Sequence, residues 1–125
     1  MDKKEIPFLT TSQLSKLIEA KEVSPVEATE AYLDRIQEVD SKLNSYITIT
    51  GEQALEAARQ AEQEITQGQY RGPLHGVPLA VKDQFNTAGI RTTGGSAILE
   101  DFVPDEDATV MANLKKAGAV LLGKL

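Results

Sequence analysis

A lysine directly after an apolar run is the feature of this 125-residue chain that most suggests chemistry. Lys82 and Asp83 follow residues 77–81, a run with the length of a buried strand. In open α/β sheets, binding sites gather just past the carboxyl ends of strands. A desolvated ammonium is costly without a partner, and losing its proton would make Lys82 a usable general base near neutral pH. Taken alone, the pattern favours a plainer interpretation, in which Lys82 pairs with Asp83 or reaches solvent.

Two further segments have residue types that could bind or react. Gly94-Gly95-Ser96 could present a nucleophile, but a serine needs a base, and the single histidine, His75, lies in a separate Pro/Gly-rich turn. We therefore expect a turn whose glycines supply positive φ angles, and a turn or packing role for His75. Residues 118–124 nearly match a phosphate loop, but Leu125 replaces the required Ser or Thr and the interior is a strand-like apolar run. No phosphate site is predicted there.

The first two-thirds of the chain is predicted to be helical, with one short helix and two longer ones. Ser24 and Glu27 form a capping box with proline at the first helical position, so a long helix is expected to begin there. Its buried stripe is expected to contain residues that step by four, three and four: Tyr32, Ile36, Val39 and Leu43. The next helix is expected to begin with a second capping box, Thr50 with Gln53, and to end at Gly68.

The last third has the pattern of a βαβ unit. The strand at 77–81 is followed by a Gly- and Thr-rich loop over 86–96 and by a helix whose start is acidic at 105–107. A second apolar strand is expected over 119–122, parallel to the first, with a right-handed connection. We expect this last strand to present an open edge. Residues 45–50 are a further short β-rich run.

Composition excludes several classes of protein. Thirteen Lys and Arg against 19 Asp and Glu give a net charge of −6, which argues against direct nucleic-acid binding. The absence of Cys excludes disulfides and a thiolate nucleophile, and one His excludes a metal site that needs two. No secretory signal or apolar run of about 20 residues is present. We therefore expect a soluble, cytoplasmic, acidic protein without a metal site or membrane contact.

Residues 72–83, Gly-Pro-Leu-His-Gly-Val-Pro-Leu-Ala-Val-Lys-Asp, resemble the first hallmark segment of the amidase signature family. The likeness extends to further segments on both sides: residues 24–27, 34–36, 89–96, 102–110 and 117–124. The resemblance thus covers nearly the whole chain, and the stretch ending in Lys82 and Asp83 is a specific motif. On these residues the chain is identified as a member of that family.

The resemblance implies a serine hydrolase that cleaves amide carbon–nitrogen bonds through a Ser–cis-Ser–Lys triad. Lys82 matches the family's lysine base, which acts through a serine in a cis peptide to activate the nucleophilic serine. Both serines lie far downstream in the family, so the 125-residue chain by itself is expected to be inactive. The loop at Thr93, Gly94, Gly95 and Ser96 is expected to line the substrate site, with Ser96 matching neither catalytic serine. No cofactor is implied.

The fold class expected from this resemblance is α/β, with N-terminal helices followed by the first βαβ unit of the family's mixed sheet. Residues 1–125 would form the truncated N-terminal portion of an amidase domain. Within it, residues 1–70 would be mainly helical and residues 71–125 would begin the α/β core.

Two alternatives remain open. Within the family, the chain could belong to the A subunit of a glutamyl-tRNA(Gln) or aspartyl-tRNA(Asn) amidotransferase, which liberates ammonia from glutamine for a partner protein. The loop at 92–96 looks more like that of stand-alone amidases. The second alternative belongs to another class of function: the chain would be a non-catalytic interaction fragment whose helices form the partner surface. The expected ligand is a small amide substrate. The expected protein partner is a second copy of the chain or, if the amidotransferase alternative holds, the other amidotransferase subunits.

Overall fold

The computed structural model describes all residues, 1–125, and contains four α-helices, two short 3₁₀ turns and a three-stranded sheet. In chain order the main elements are α1 (Thr11–Glu19), α2 (Pro25–Leu43), β1 (Thr48–Ile49), α3 (Gly51–Thr66), β2 (Pro78–Val81), α4 (Thr109–Lys116) and β3 (Val120–Lys124). The 3₁₀ turns lie at Ile6–Phe8 and Ala97–Leu99. None of the helices is long and apolar enough to cross a membrane.

Strand β3 is the centre of the sheet. It pairs in parallel with β2, from Pro78 opposite Val120 to Val81 opposite Lys124, and antiparallel with β1. The strand order is β1-β3-β2, so β2, α4 and β3 form the predicted βαβ connection and the α/β fold class is confirmed. The expected open edge is wrong for the end of β3, where β1 pairs with Gly123 and Lys124.

Two apolar clusters form the core beneath this sheet. The first draws on α1, α2 and α3 and contains eight buried residues: Ile6, Leu14, Ile18, Val23, Ala28, Ala31, Ile65 and Val77. The second joins α2 and α3 to the sheet through five: Ile36, Ala54, Ala58, Val120 and Leu122. Small alanines in both helices let α2 and α3 approach each other and β3 closely. The helical pair thereby supports the strand that carries Lys124 at its end.

The start of α2 has the predicted capping box. The amide of Glu27 donates to Ser24 Oγ at 3.1 Å, and the amide of Ser24 donates to Glu27 Oε2 at 2.9 Å. Pro25 occupies the first helical position, where no N–H is needed. Two amides that α2 itself cannot satisfy are therefore bonded by side chains from the same turn.

Two local predictions are wrong. Thr50 does not cap α3; its hydroxyl donates instead to the carbonyl of Leu121 at 2.8 Å, because Thr50 lies beside β3. Leu43 is not part of a buried stripe but is exposed, since α2 ends there and Asn44 turns the chain away with φ 51°. In both cases the neighbouring strand or the chain reversal determines the surroundings of the side chain.

Candidate active site

Lys82 follows β2 at the carboxyl edge of the sheet, and its backbone is held on both sides. The amide of Leu125 donates to the carbonyl of Val81 at 2.8 Å, and the amide of Asp83 donates to the carbonyl of Leu125 at 2.8 Å. The side chain of Lys82 is exposed, which agrees with the interpretation in which it reaches solvent. Lys82 thus combines a fixed backbone with a side chain in solvent.

Asp83 is not the partner of Lys82; it holds the neighbouring loop. Asp83 is 2% exposed, and its Oδ2 accepts from both the amide of Thr93, at 3.0 Å, and the hydroxyl of Thr93. Its carbonyl accepts from the amide of Gly94 at 2.7 Å. The other carboxylate oxygen, Oδ1, is buried without a partner. These bonds hold the loop that begins at Thr93 against Asp83, the residue next to Lys82.

The predicted substrate residues occupy two different environments within that loop. Thr93 is buried and engaged with Asp83, whereas Gly94 and Gly95 are exposed. Both glycines have positive φ angles, 60° and 73°, and a Cβ on either would meet no atom within 4 Å. Their backbone is therefore open to an approaching molecule. Substrate contact at these residues stays a prediction.

Ser96 is not arranged as a nucleophile. Its Oγ accepts from the amide of Ile98 at 3.2 Å and caps the 3₁₀ turn at Ala97–Leu99. Its own amide donates to the carbonyl of Thr93 at 2.9 Å. Ser96 therefore shapes the end of the loop, in agreement with the turn expected from the sequence.

Lys124 lies beside the candidate site and is not among the residues predicted from the sequence. It is 0% exposed, and its Nζ donates to Phe85 O at 2.7 Å, Thr87 Oγ1 at 2.8 Å and Thr92 Oγ1 at 2.9 Å. Burial lowers the pKa of Lys124 below its ordinary value, and the charges of Asp83 and Asp107 offset part of that effect. Lys124 ends β3, so residues 120–124 do not form a phosphate loop. The signal that could have revealed it is similar to the one used for Lys82, a lysine at the end of an apolar strand.

His75 is a packing residue, as expected. It is 1% exposed, and its Nδ1 accepts from the amide of Arg71 at 3.0 Å, so Nε2 carries the proton and donates to Glu64 at 2.8 Å. Burial lowers the pKa of His75, although the Glu64 carboxylate opposes this. A neutral ring with both nitrogens engaged is not available as a base. No group of three or more His, Asp or Glu side chains is arranged to hold a metal ion.

Comparison with known proteins identifies the family. The model of the Amidase family matches residues 27–125. The chain belongs to the Amidase family. The A subunit of the glutamyl-tRNA(Gln) amidotransferase of Geobacter sp. (strain M21) is 56% identical over 121 residues, a match that covers 97% of this chain and 25% of the relative. The chain thus spans about a quarter of the length of the curated relatives it matches.

Solved structures of amidases share the fold of this chain. The peptide amidase of Stenotrophomonas maltophilia superimposes with a TM-score of 0.88 at 38% identity, over 95% of this chain and 25% of that one. A fatty acid amide hydrolase superimposes with a TM-score of 0.91 at 27% identity, over 99% of this chain and 22% of that one. The recognised family is therefore confirmed, and its solved members include amide hydrolases.

Proposed function

We propose that this chain contributes the general base, Lys82, to the active site of an amide hydrolase. The observation that carries the proposal is the position of Lys82: a family-motif lysine at the carboxyl end of β2, with its backbone clamped to Leu125 and its side chain accessible. The exposed backbone of Gly94 and Gly95, held close by Asp83, would line the substrate site. The chain is then the front portion of the amidase domain.

In the complete enzyme Lys82 would have to be neutral to accept a proton. An unperturbed lysine, with a pKa of about 10.4, is neutral in only about one molecule in a thousand near pH 7.4. Full burial can lower the pKa of a lysine by up to about 3–5 units, which would remove that shortage. Since Lys82 is exposed here, its cover would come from the three-quarters of the relatives' length that this chain does not match.

The proposed reaction is acyl transfer by a Ser–cis-Ser–Lys triad. The neutral amine of Lys82 would take the proton of the cis-serine hydroxyl as that serine takes the proton of the nucleophile. The nucleophile would then attack the amide carbon, release the amine with a returned proton, and leave an acyl-enzyme for water to hydrolyse. Both serines would come from outside these 125 residues.

The test of this role is a pH–rate profile of the full-length amidase with Lys82→Ala and Lys82→Arg. Both variants should lose most activity, because alanine has no basic group and a guanidinium stays protonated and cannot accept the serine proton. Lys16→Ala and Lys16→Arg, at an exposed lysine of α1, are the matched controls and should keep activity. Near-normal turnover of Lys82→Arg around neutral pH would refute the proposed base.

The 125 residues alone are proposed to be inactive. Ser96, the serine of the loop beside Asp83, already uses its hydroxyl to cap a turn and lacks an adjacent base. Turnover of a simple amide and labelling with a fluorophosphonate probe would both be absent. Saturable labelling at Ser96 would contradict this proposal. Labelling of the full-length protein would at the same time exclude a purely non-catalytic interaction fragment.

A second candidate function is that of the A subunit of an amidotransferase, and one observation favours it. Relatives with that name from several bacteria are 44% to 56% identical to this chain over at least 92% of its length. The full-length protein would then release ammonia from glutamine and copurify with partner subunits. Hydrolysis of simple amides without such partners would favour a stand-alone amidase. Light scattering would show whether the full-length protein is a stand-alone amidase, a complex with partner subunits or a homo-oligomer. Cell fractionation would test the proposed cytoplasmic location.

A further inference from the structure

The ammonium of Lys124 is enclosed by the loop that follows Lys82. Each of its three N–H groups has an acceptor: Phe85 O, Thr87 Oγ1 and Thr92 Oγ1, at 2.7–2.9 Å. The two hydroxyls are themselves oriented, since Thr87 donates to Phe85 O at 3.1 Å and Thr92 donates to the carbonyl of Ile90 at 3.0 Å. Each hydroxyl therefore makes a second hydrogen bond, as donor, which fixes the direction of the lone pair that it offers to the ammonium.

Lys124 is the buried one of several contacts that hold this loop; the amides of Ala88, Gly89 and Thr92 also donate to acceptors in residues 102–107. Between Asp83 and Thr93 its only regular feature is a single antiparallel bridge, Thr87 with Ile90. The three acceptors of Lys124 are spread along residues 85–92, so the side chain gathers both arms of the loop around one buried charge. A buried ammonium without these acceptors would be strongly unfavourable, which ties the presence of the charge to one loop conformation.

The same strand end also holds the two parts of the proposed active site. Leu125, the neighbour of Lys124, bonds to the backbone on both sides of Lys82. Thr92, a partner of Lys124, directly precedes Thr93, whose amide and hydroxyl donate to Asp83. Movement of Lys124 would therefore change the position of the base and of the loop backbone together.

We propose that Lys124 is a positioning residue of the amidase site, whose buried ammonium keeps Lys82 and the loop at residues 93–95 in one arrangement. This inference rests on the proposed function of Lys82 as the base. Lys124 itself contacts neither the base nor a reacting atom; it acts through the loop. Geometry of this kind matters to rate, because a misplacement of about 1 Å can cost about a hundredfold.

The first test measures the loop directly, without relying on activity. In Lys124→Met, hydrogen exchange at the amides of Asp83, Thr93 and Gly94 should accelerate at least about tenfold, while amides in α3 keep their wild-type rates. Thr87→Val and Thr92→Val, which each remove one acceptor, should show a smaller acceleration at the same amides. An acceleration that is absent, or that is equal throughout the chain, would overturn the proposal.

A matched control is available at Thr29. It is also a buried threonine, at 0% exposure, but its hydroxyl has no hydrogen-bond partner. Thr29→Val should therefore leave loop exchange and activity unchanged. If Lys124→Met fails to fold by circular dichroism, the comparison of Thr87→Val and Thr92→Val with Thr29→Val carries the test by itself.

The second test is kinetic and uses the full-length enzyme. Lys124→Met should lower kcat by about a hundredfold while KM changes less than about threefold, because the chemical step, not binding, depends on the base position. A folded Lys124→Met variant with wild-type kcat would overturn the positioning role. Failure of this proposal can be told apart from failure of the proposed function. An active Lys82→Arg variant would refute the role of Lys82 as the base. The hydrogen-exchange result would still decide whether Lys124 orders the loop.

Discussion

Three ionisable side chains, His75, Asp83 and Lys124, are almost completely buried, and His75 and Lys124 are each held by a full set of hydrogen bonds. Lys124 satisfies its three N–H groups on loop acceptors, and His75 uses one ring nitrogen as acceptor and the other as donor. Because burying such groups without partners is costly, each one determines which backbone conformation can surround it. At the scale of single residues, the loops around the site are therefore shaped by buried polar groups.

The histidine makes stability depend on pH. Its pKa is lowered by burial from the ordinary value of 6.5, so below that value the unfolded chain binds the proton more readily than the folded one. The contribution of His75 to the free energy of unfolding should be fully present above about pH 6.5. It should be lost as the pH drops from 6.5 towards the folded pKa. Urea unfolding at about pH 7.5 and about pH 5.5 measures this difference.

The variant His75→Gln is the control for that pH dependence. It should be less stable than wild type at both pH values, yet lose less between them, since glutamine does not titrate. Glu64, whose ordinary pKa is 4.5, has its folded pKa lowered and so acts at lower pH. An unchanged pH slope in His75→Gln would show that another group is responsible.

At the scale of elements, the helix ends are set by short local signals. Gly68 and Gly118 follow α3 and α4 with nearly equal φ angles, 82° and 81°, in the left-handed region that favours glycine. Only Gly118 also faces a neighbour: a Cβ there would lie 2.4 Å from Cδ2 of His75. At Gly68 an added Cβ would meet no atom within 4 Å. The pair therefore separates backbone strain from steric clash.

Gly118→Ala should destabilise the protein by about 2–5 kcal/mol, the sum of left-handed strain of about 1–2 and overpacking of about 1–3 kcal/mol. Gly68→Ala should cost only the strain, about 1–2 kcal/mol. Urea unfolding of both variants gives the comparison. Equal losses would mean that the turn at His75 yields to the added methyl group without cost.

The capping box of α2 is the second element-scale test. Ser24→Ala removes an acceptor from the amide of Glu27 and should cost about 0.5–2 kcal/mol. Ser12→Ala, at an exposed serine in the first turn of α1, should change stability by less than about 0.5 kcal/mol. A loss at Ser24 no larger than that at Ser12 would exclude a stabilising cap.

At the scale of the whole molecule, β3 joins the helical half to the α/β half. Its Val120 and Leu122 pack on α2 and α3, while its backbone pairs with β2 on one side and β1 on the other. The site therefore depends on contacts between residues far apart in sequence, such as Thr50 with Leu121. A strand in this position should open only when the whole structure unfolds.

Hydrogen exchange tests that role of β3. Amides of β3, such as Val120, which donates to the carbonyl of Val77 at 2.9 Å, should be among the slowest to exchange. The amide of Ile98, which lies in an exposed turn and is bonded to a side chain, should exchange much faster. Exchange in β3 as fast as at Ile98 would contradict its central place in the fold.

The sequence by itself determined the features that depend on near neighbours along the chain. These are the capping box at Ser24, the glycine at residue 68, the apolar strands of the βαβ unit, and the motif that ends in Lys82 and Asp83 and identifies the family. Capping and helix termination involve groups within about four residues of each other, and the alternation of apolar runs is a local pattern. Such features can be read without knowing the fold.

Only the tertiary structure decided which distant groups meet. Thr50 bonds to Leu121 and not to its own helix, Asp83 bonds to Thr93 and not to Lys82, and Lys124 reaches threonines more than 30 positions away. The sequence marks each of these side chains as polar, but its partner and its burial depend on which strands lie side by side. Pairing β3 between β1 and β2 creates those neighbours, because it brings three separate parts of the chain to one edge of the sheet.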